Sequence, residues 1–288
     1  MTTPEQVPQL FQNGFWQQPT TRRWIVVGVV LIVLFVLGFF TVTNELLLHS
    51  SHVLEGADWM GYAICHRITE RSFTINGRQF PLCARCTGMY LGVALILLLV
   101  FLSGRTRRSE LPPLPLLLIL LGLIGLMGID GLNSYSHFFP NAPHLYTPQN
   151  WLRLLTGMGT GVAMGLLILP VLAQTLWRNA SVVGVITSGR ELFLILFLAG
   201  LLVLLILSNR PTILYVLALG STVGLLFIVA SLNTIILLVI TRRDGRAESR
   251  LETAVPMLIG LIFAIIELST ISILRLLLTG TMTGFPGL

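Results

Sequence analysis

The sequence contains no lysine, and only 10% of its residues are charged. Soluble globular domains are usually nearer a quarter charged, so this composition excludes an ordinary soluble protein. The formal net charge of +6 rests entirely on arginines, which are scattered between apolar runs and form no basic face. Orientation in a membrane explains such arginines better than contact with nucleic acid, so we expect no nucleic-acid partner.

Several common catalytic signatures are also absent. The chain has no glycine-rich phosphate loop, no Gly-x-Ser-x-Gly and no His-Glu-x-x-His. It also has no convincing internal repeat, so a transporter built from inverted repeats is not supported. The sequence therefore says more about where the protein works than about what it does.

Apolar sequence is what the chain has in abundance. Hydrophobic residues make up 54% of it, and the mean hydropathy is +0.86. Several runs reach the roughly 20 residues needed to cross a bilayer. The expected fold is an all-α, polytopic transmembrane helix bundle embedded in the lipid bilayer of the cell membrane. Seven spans are predicted, near 24–43, 86–103, 112–129, 152–176, 191–208, 212–240 and 254–278.

Composition divides the chain into three parts. Residues 1–21 are rich in Gln, Pro and Thr and are predicted to form a flexible cytoplasmic tail. Residues 22–176 are expected to form a four-helix core that carries an outer loop, 44–86. Residues 177–288 would add three further helices.

Arginine asymmetry predicts the orientation of the bundle. One set of connections holds eleven arginines and the other holds six, so the amino terminus is predicted in the cytoplasm and the carboxyl terminus outside it. All cysteines and histidines then fall on the extracytoplasmic side. The larger set is Arg22, Arg23, Arg105, Arg107, Arg108, Arg178, Arg190, Arg242, Arg243, Arg246 and Arg250, and the smaller is Arg67, Arg71, Arg78, Arg85, Arg153 and Arg210.

A β-hairpin is predicted inside the outer loop. Asn76-Gly77, flanked by alternating apolar and polar residues, is a strong hairpin signal because both turn positions need positive φ. Such a hairpin would fold the chain back and bring Cys65 and His66 close to Cys83. The outer loop would then gather all three cysteines of the protein in one place.

These residues have the chemistry of a metal site. Cys83-x-x-Cys86 has the spacing of half a zinc site, which needs two more ligands. Cys65 and His66 would supply them, with zinc or another divalent metal as the cofactor. His52, His137 or His144 could replace His66 as the fourth ligand.

Two other interpretations of the cysteines stay open. A disulfide could staple the loop and leave one thiol over, since three cysteines cannot all pair within one chain. Alternatively, Cys83 and Cys86 could carry out redox chemistry, because a helix amino terminus and the neighbouring Arg85 would both lower their pKa. Cys65 would then be the free or resolving thiol. Of the three interpretations, we favour the metal site.

The motif resembles the signature of a known family. Cys-His-x4-Arg-Ser-Phe, an Asn-Gly turn and Pro-Leu-Cys-x-Arg-Cys-Thr-Gly-x-Tyr-x-Gly are similar to an uncharacterised family of small prokaryotic membrane proteins with a domain of unknown function. The resemblance covers roughly 50–175 and extends through Asp130-Gly131 and the segment 153–157. It implies a membrane location and a shared site, and it implies no reaction. The last three spans look like an addition to the family core.

Other polar residues lie within or beside the apolar runs. Asp130 and Arg153 border consecutive spans, so we favour an ion pair between them that closes a helical hairpin. A second interpretation, compatible with the first, makes them part of the outer site beside Cys65 and Arg71, for which Arg85 is a further candidate. Glu267 lies midway along the last span, where an ionisable group is costly. No second carboxylate lies deep in another span. We therefore favour structural pairing of Glu267, with a neighbouring helix or Arg275, over a proton relay.

Small residues recur at four-residue spacing in two spans. Gly157, Gly161 and Gly165 form one ridge, and Gly88 and Gly92 form another. Such ridges let helix backbones approach closely, so tight helix contacts are predicted.

The sequence thus predicts an integral membrane protein of unknown activity with a zinc-like Cys/His site at its extracytoplasmic face. One alternative is a thiol-disulfide or quinone-linked membrane oxidoreductase that uses Cys83 and Cys86. Another is a small-solute or proton-coupled transporter with Glu267 in its path.

Overall fold

A computed structural model describes residues 51–139, 143 and 145–282, so the tail 1–21 and the span predicted at 24–43 lie outside it. The described chain is mostly helical, with two small pairs of strands. Its elements are α1 (Ser51–Ile64), β1 (Ser72–Ile75), β2 (Arg78–Cys83), α2 (Ala84–Leu102), β3 (Arg108–Glu110), α3 (Leu114–Ser136), α4 (Asn150–Leu176), β4 (Ser181–Gly184), α5 (Gly189–Leu207), α6 (Pro211–Ile240) and α7 (Arg250–Thr279).

Helices α2 to α7 are long and apolar enough to cross a membrane, which makes six candidate spans in the described part of the chain. The predicted fold class, an all-α multi-pass bundle, is confirmed, and these helices correspond to the last six predicted spans. The largest difference is at α3, which was expected to end near 129 and instead continues to Ser136. Asp130, Asn133 and Ser134 are buried in this extra stretch, so polar residues there mark an internal contact rather than the helix end.

The glycine ridges of α2 and α4 pack against each other. A Cβ atom added at Gly157 would overlap the carbonyl of Arg85, and one at Gly161 would overlap the carbonyl of Met89. A Cβ at Gly88 would in turn overlap the carbonyl of Leu154. The prediction of tight backbone contact is confirmed, and the two helices form the centre of the bundle.

Helices α5 and α6 pack on this centre, and α7 packs on α6 and α1. Gly224 of α6 lies against the carbonyl of Tyr90 in α2, and Gly260 of α7 lies against Ala230 of α6. The main apolar core is shared by α2, α4, α5 and α6. The division into a family core and an extension stays a prediction.

Helix α1 was not predicted, because residues 44–86 were expected to be a loop containing a hairpin. It spans 14 residues and is too short to cross a bilayer. Leu54, Ala57 and Gly61 are buried at helical spacing on one of its faces. Ser272 of α7 donates a 2.7 Å hydrogen bond to the carbonyl of Trp59 in α1. Helix α1 therefore forms mainly because it packs on α7, since its local sequence predicts a helix only weakly.

The two ends of the bundle differ in chemistry. One end, the cysteine end, carries Cys65, Cys83 and Cys86. At the opposite end, Arg105 pairs with Glu191 at 2.7 Å, and strands β3 and β4 form a short parallel pair that was not predicted. The helices alternate in direction between the two ends. Which end faces the cytoplasm stays a prediction.

Candidate metal centre at the cysteine end

The predicted hairpin is confirmed and sets one side of the site. Strands β1 and β2 are antiparallel, with Ser72 paired to Cys83. Asn76 and Gly77 form the two-residue turn with φ of 49° and 82°. Positive φ at both positions is what the twist of a two-residue hairpin requires. The hairpin thereby carries Cys83 back to the start of α2.

The end of α1 sets the other side. Cys65 directly follows this helix, and its amide donates to the carbonyl of Gly61 at 2.9 Å. A side chain at Gly61 would overlap the carbonyl of Pro81, so glycine allows α1 to rest on β2. Arg67 then has φ of 48°, a conformation uncommon for residues with a side chain. A 3.0 Å ion pair with Asp58 holds Arg67 there.

These two sides bring the predicted ligands together. Cys65 Sγ, a ring nitrogen of His66 and Cys83 Sγ all lie within 4.8 Å of one another. The amide of Cys83 also donates to Cys65 Sγ at 3.1 Å. Cys86 lies close enough to both other cysteines to influence their ionisation, although it is not part of the three-residue group. All three cysteines are free thiols.

Hydrogen bonding concentrates negative charge on Cys83. Bonds from Cys65, then from Cys86, hold the pKa of the Cys83 thiol well below its usual range. The pKa of Cys65 is raised to about 12, first by its hydrogen bond to Cys83. Burial lowers the pKa of His66, which keeps the imidazole neutral. A thiolate and a neutral imidazole are the forms that ligate metals.

The donor set fits a soft divalent metal such as zinc. Thiolate sulfur and imidazole nitrogen are the ligands of structural zinc sites. At Zn–S bonds of about 2.3 Å, tetrahedral geometry separates neighbouring sulfurs by about 3.8 Å. The donor atoms, which lie within 4.8 Å of one another, would have to meet this spacing for a metal to bind.

Metal binding by His66 would break an existing hydrogen bond. Its Nδ1 accepts a 3.2 Å hydrogen bond from the amide of Ile68. A metal on Nδ1 would take the same lone pair, and a metal on Nε2 would require a proton on Nδ1. Either arrangement breaks the bond to Ile68.

Arg275 is a site residue that the sequence did not reveal. Its guanidinium donates to the carbonyls of Tyr62 at 2.6 Å, Cys65 at 2.5 Å and His66 at 3.2 Å. The last turn of α1 contains no basic residue, so its carbonyls depend on a cation from elsewhere. The sequence signal was weak, because Arg275 was considered only as a possible partner of Glu267.

Asp130 lies at the cysteine end, but its predicted partner was wrong. Its carboxylate forms an ion pair with Arg85 and accepts a 2.8 Å hydrogen bond from the hydroxyl of Tyr146. Arg153 instead donates to Asn150 Oδ1 at 2.8 Å. The prediction assumed that spans consecutive in sequence pair first. Because α2 also packs at this end, its first turn places Arg85 within reach of Asp130.

The remaining candidates divide between two places. Arg71, Arg85 and Arg153 all lie close enough to His66 to influence its ionisation. Glu267 does not belong to this group: it accepts a 3.2 Å hydrogen bond from Asn233 of α6 and is exposed on α7. Structural pairing with a neighbouring helix was one of the expectations for Glu267.

The structure gives little support to the other histidines that were considered as the fourth metal ligand. His137 is exposed, and its Nδ1 lies 3.1 Å from the carbonyl of Asn133. The position of His144 and the side chain of His52 lie outside the part of the chain that the structure describes.

Comparison with known proteins places this site in a family context. Residues 65–167 match the model of a family described as "Predicted membrane protein (DUF2085)". This confirms the resemblance to an uncharacterised membrane-protein family and supports a multi-pass membrane location. The match begins at Cys65 and contains Cys83, Cys86, Asp130 and Arg153, whereas Arg275 lies beyond it.

A short stretch of the chain is also similar to one curated protein. An "Uncharacterized protein" of Methanothermobacter thermautotrophicus is 54% identical over 39 residues, which are 14% of this chain and 35% of that protein. The chain thus covers about a third of this relative's length. No solved structure matches the chain.

Proposed function

We propose that this integral membrane protein holds a zinc-like divalent metal at its cysteine end through Cys65, Cys83 and Cys86, with His66 as fourth ligand. The observation that supports the proposal is the group of three donor atoms within 4.8 Å of one another. Soft thiolate donors favour zinc over magnesium or calcium. The predicted orientation puts this metal on the extracytoplasmic face.

The role of the metal depends on His66. If His66 binds, four protein ligands close the coordination shell, as in structural sites. If His66 keeps its hydrogen bond to Ile68, three thiolates leave one position open to water or a small substrate. A metal with an open position supplies Lewis-acid chemistry. The structural role needs no further group, whereas the open site needs a substrate.

Elemental analysis of detergent-purified protein tests the proposal. We expect about one equivalent of metal per chain. Cys65→Ser, Cys83→Ser and Cys86→Ser should each lower the metal content to a similar degree. His137→Ala serves as a matched control for His66→Ala, because both histidines lie at the cysteine end and only His66 is in the cluster.

A count of free thiols under native and reducing conditions is the measurement that can contradict the metal proposal. Protein without stoichiometric metal, with one disulfide and one free thiol, would exclude the metal centre. It would favour the stapling disulfide, for which two cysteines behave alike and the third is nearly silent.

Thiol-disulfide exchange is the second candidate function, because the lowered pKa of Cys83 makes it a nucleophile. The Cys83 thiolate would attack a substrate disulfide and release one substrate thiol. Cys86 would lose its proton and displace the second thiol, which leaves a Cys83–Cys86 disulfide and a reduced substrate. A dithiol reductant would then return the protein disulfide to two thiols and restart the cycle.

Serine variants distinguish this candidate from the metal centre. Under redox catalysis, the fold survives all three substitutions and exchange activity with a model disulfide is lost. Under metal binding, the variants lose metal and stability together. The transporter alternative receives no comparable support, since Glu267 is exposed on the outer surface of the described helices.

A further inference from the structure

Three arginines at the cysteine end converge on one residue of α3. Arg85 donates to Ser134 Oγ at 3.1 Å, and Arg153 donates to the same oxygen at 3.5 Å. Arg71 donates to the Ser134 carbonyl at 3.4 Å. The three come from different elements: the turn before β1, the start of α2 and the start of α4. The fold thus gathers three guanidinium groups around a single serine.

Their charge is only partly balanced. Asp130, with 1% of its side chain exposed, pairs with Arg85. In the described chain, Arg71 and Arg153 form no ion pair: Arg71 contacts the Ser134 carbonyl and the Phe138 ring, and Arg153 contacts two neutral oxygens. Three guanidinium groups and one carboxylate leave an excess of two positive charges.

Other arginines of the protein show the contrast. Arg67 and Arg78 share the two oxygens of Asp58 at 3.0 Å and 2.8 Å. Arg105 has Glu191 as its partner. The cluster around Ser134, with three guanidinium groups and one carboxylate, therefore has a larger excess of positive charge than either of these groups.

The residues and helix ends around the three arginines make the electrostatic potential there more positive. Burial, and then repulsion from Arg85, lower the pKa of Arg71. Helices α2 and α4 both begin at this end, and helix amino termini carry partial positive charge. Glu70 is exposed, and Cys83 is the other nearby group that can carry negative charge, so positive charge is in excess with or without a metal. Among the described residues, the cluster thus has one buried carboxylate for three guanidinium groups.

We propose that Arg71, Arg85 and Arg153 form a binding site for an oxyanion, a phosphate, sulfate or carboxylate group. The planar guanidinium fork matches the oxygen geometry of such groups. The anion is either a small solute or the headgroup of an anionic lipid, since the site lies at one end of a membrane bundle. The site is independent of the metal centre, and neither requires the other.

Thermal unfolding of the detergent-purified protein tests the site with a small anion. Sodium sulfate or phosphate is titrated against sodium chloride at constant ionic strength. We expect a saturable rise of the unfolding temperature. Arg71→Gln should weaken the apparent affinity roughly tenfold, the loss expected for one charged hydrogen-bonding partner. Arg71 is half-buried and forms no ion pair in the described structure, so this variant should fold.

Arg243→Gln is the matched control, because it removes one exposed arginine at the opposite end. The lipid source is tested in vesicles of phosphatidylcholine with and without phosphatidylglycerol. Saturation by sulfate or phosphate identifies a small-anion site, and saturation by phosphatidylglycerol alone identifies a headgroup site. No saturation with either, or equal responses of Arg71→Gln and Arg243→Gln, overturns the proposal. Metal content, measured in the same samples, reports separately on the metal centre.

Discussion

The guanidinium of Arg275 donates a hydrogen bond to the carbonyl of Cys65, 210 positions earlier in the chain. The same group stacks on the ring of Tyr62, with Cζ 4.2 Å from the ring centroid. Arg275 thereby caps the carboxyl-terminal end of α1, which has no basic residue of its own in its last turn. The candidate metal centre is built from residues inside the family match and held by one outside it.

Replacing Arg275 should loosen this arrangement. Arg275→Gln removes charged hydrogen bonds to backbone carbonyls, so we expect a loss of about 2 kcal/mol in stability and a lower metal affinity. Arg210→Gln is the control, since Arg210 is exposed between α5 and α6. Unfolding in detergent and metal competition with a chelator measure the two effects. Equal stability and equal metal affinity in the two variants would show that the Arg275 cap does not stabilise the site.

Arg85 and Asp130 should be coupled energetically. Arg85→Gln leaves the buried carboxylate of Asp130 without its ion-pair partner, which typically costs about 3–5 kcal/mol. The double variant Arg85→Gln/Asp130→Asn should recover much of that loss. Arg153→Gln combined with Asp130→Asn should show little recovery, because Arg153 forms no ion pair with Asp130 in the described structure. A double-mutant cycle measures the difference, and recovery in the second pair alone would restore the original prediction.

Metal affinity should rise with pH. With a pKa of about 12, Cys65 carries a proton in the metal-free protein at neutral pH, and ligation must displace it. The pKa of Cys83 is held well below its usual range by its hydrogen bonds, so its contribution to the proton release is smaller. Each displaced proton makes the apparent affinity rise about tenfold per pH unit. Chelator competition across the neutral range measures this slope, and a flat profile would argue against thiolate ligation by Cys65.

The glycine contacts of α2 and α4 should be sensitive to a single methyl group. Gly161→Ala would push a Cβ into the Met89 carbonyl, and we expect a loss of about 1–3 kcal/mol, typical of overpacking. Gly122→Ala in α3 is the control, because its Cβ would meet nothing within 4 Å. Thermal unfolding in detergent compares them. If Gly122→Ala proves the more damaging, the contact between α2 and α4 is not the centre of the bundle.

Local patterns predicted the parts of the fold that local chemistry controls. Asn76-Gly77 determines the hairpin, because few other dipeptides accept positive φ twice. Apolar runs predicted the six described spans, and the ridges at Gly157 and Gly161 predicted close helix contact. Each of these features depends on residues that are near one another in the sequence.

Features set by packing were not predictable in the same way. The partner of Asp130 depends on which helices are neighbours, and α2 rather than α4 supplies it. Helix α1 and the role of Arg275 depend on contact between the first described helix and the last. A single sequence gives the order of helices along the chain and not their order around the bundle.

The cap that Arg275 places on α1 has a consequence for biosynthesis. A membrane protein is made from its amino terminus, so Cys65, Cys83 and Cys86 are all synthesised long before Arg275. The carbonyls of Cys65 and His66 receive their final hydrogen bonds only after α7 has been inserted. A chain that stops before the last helix lacks the Arg275 donor, so we expect the centre to mature fully only when the chain is complete.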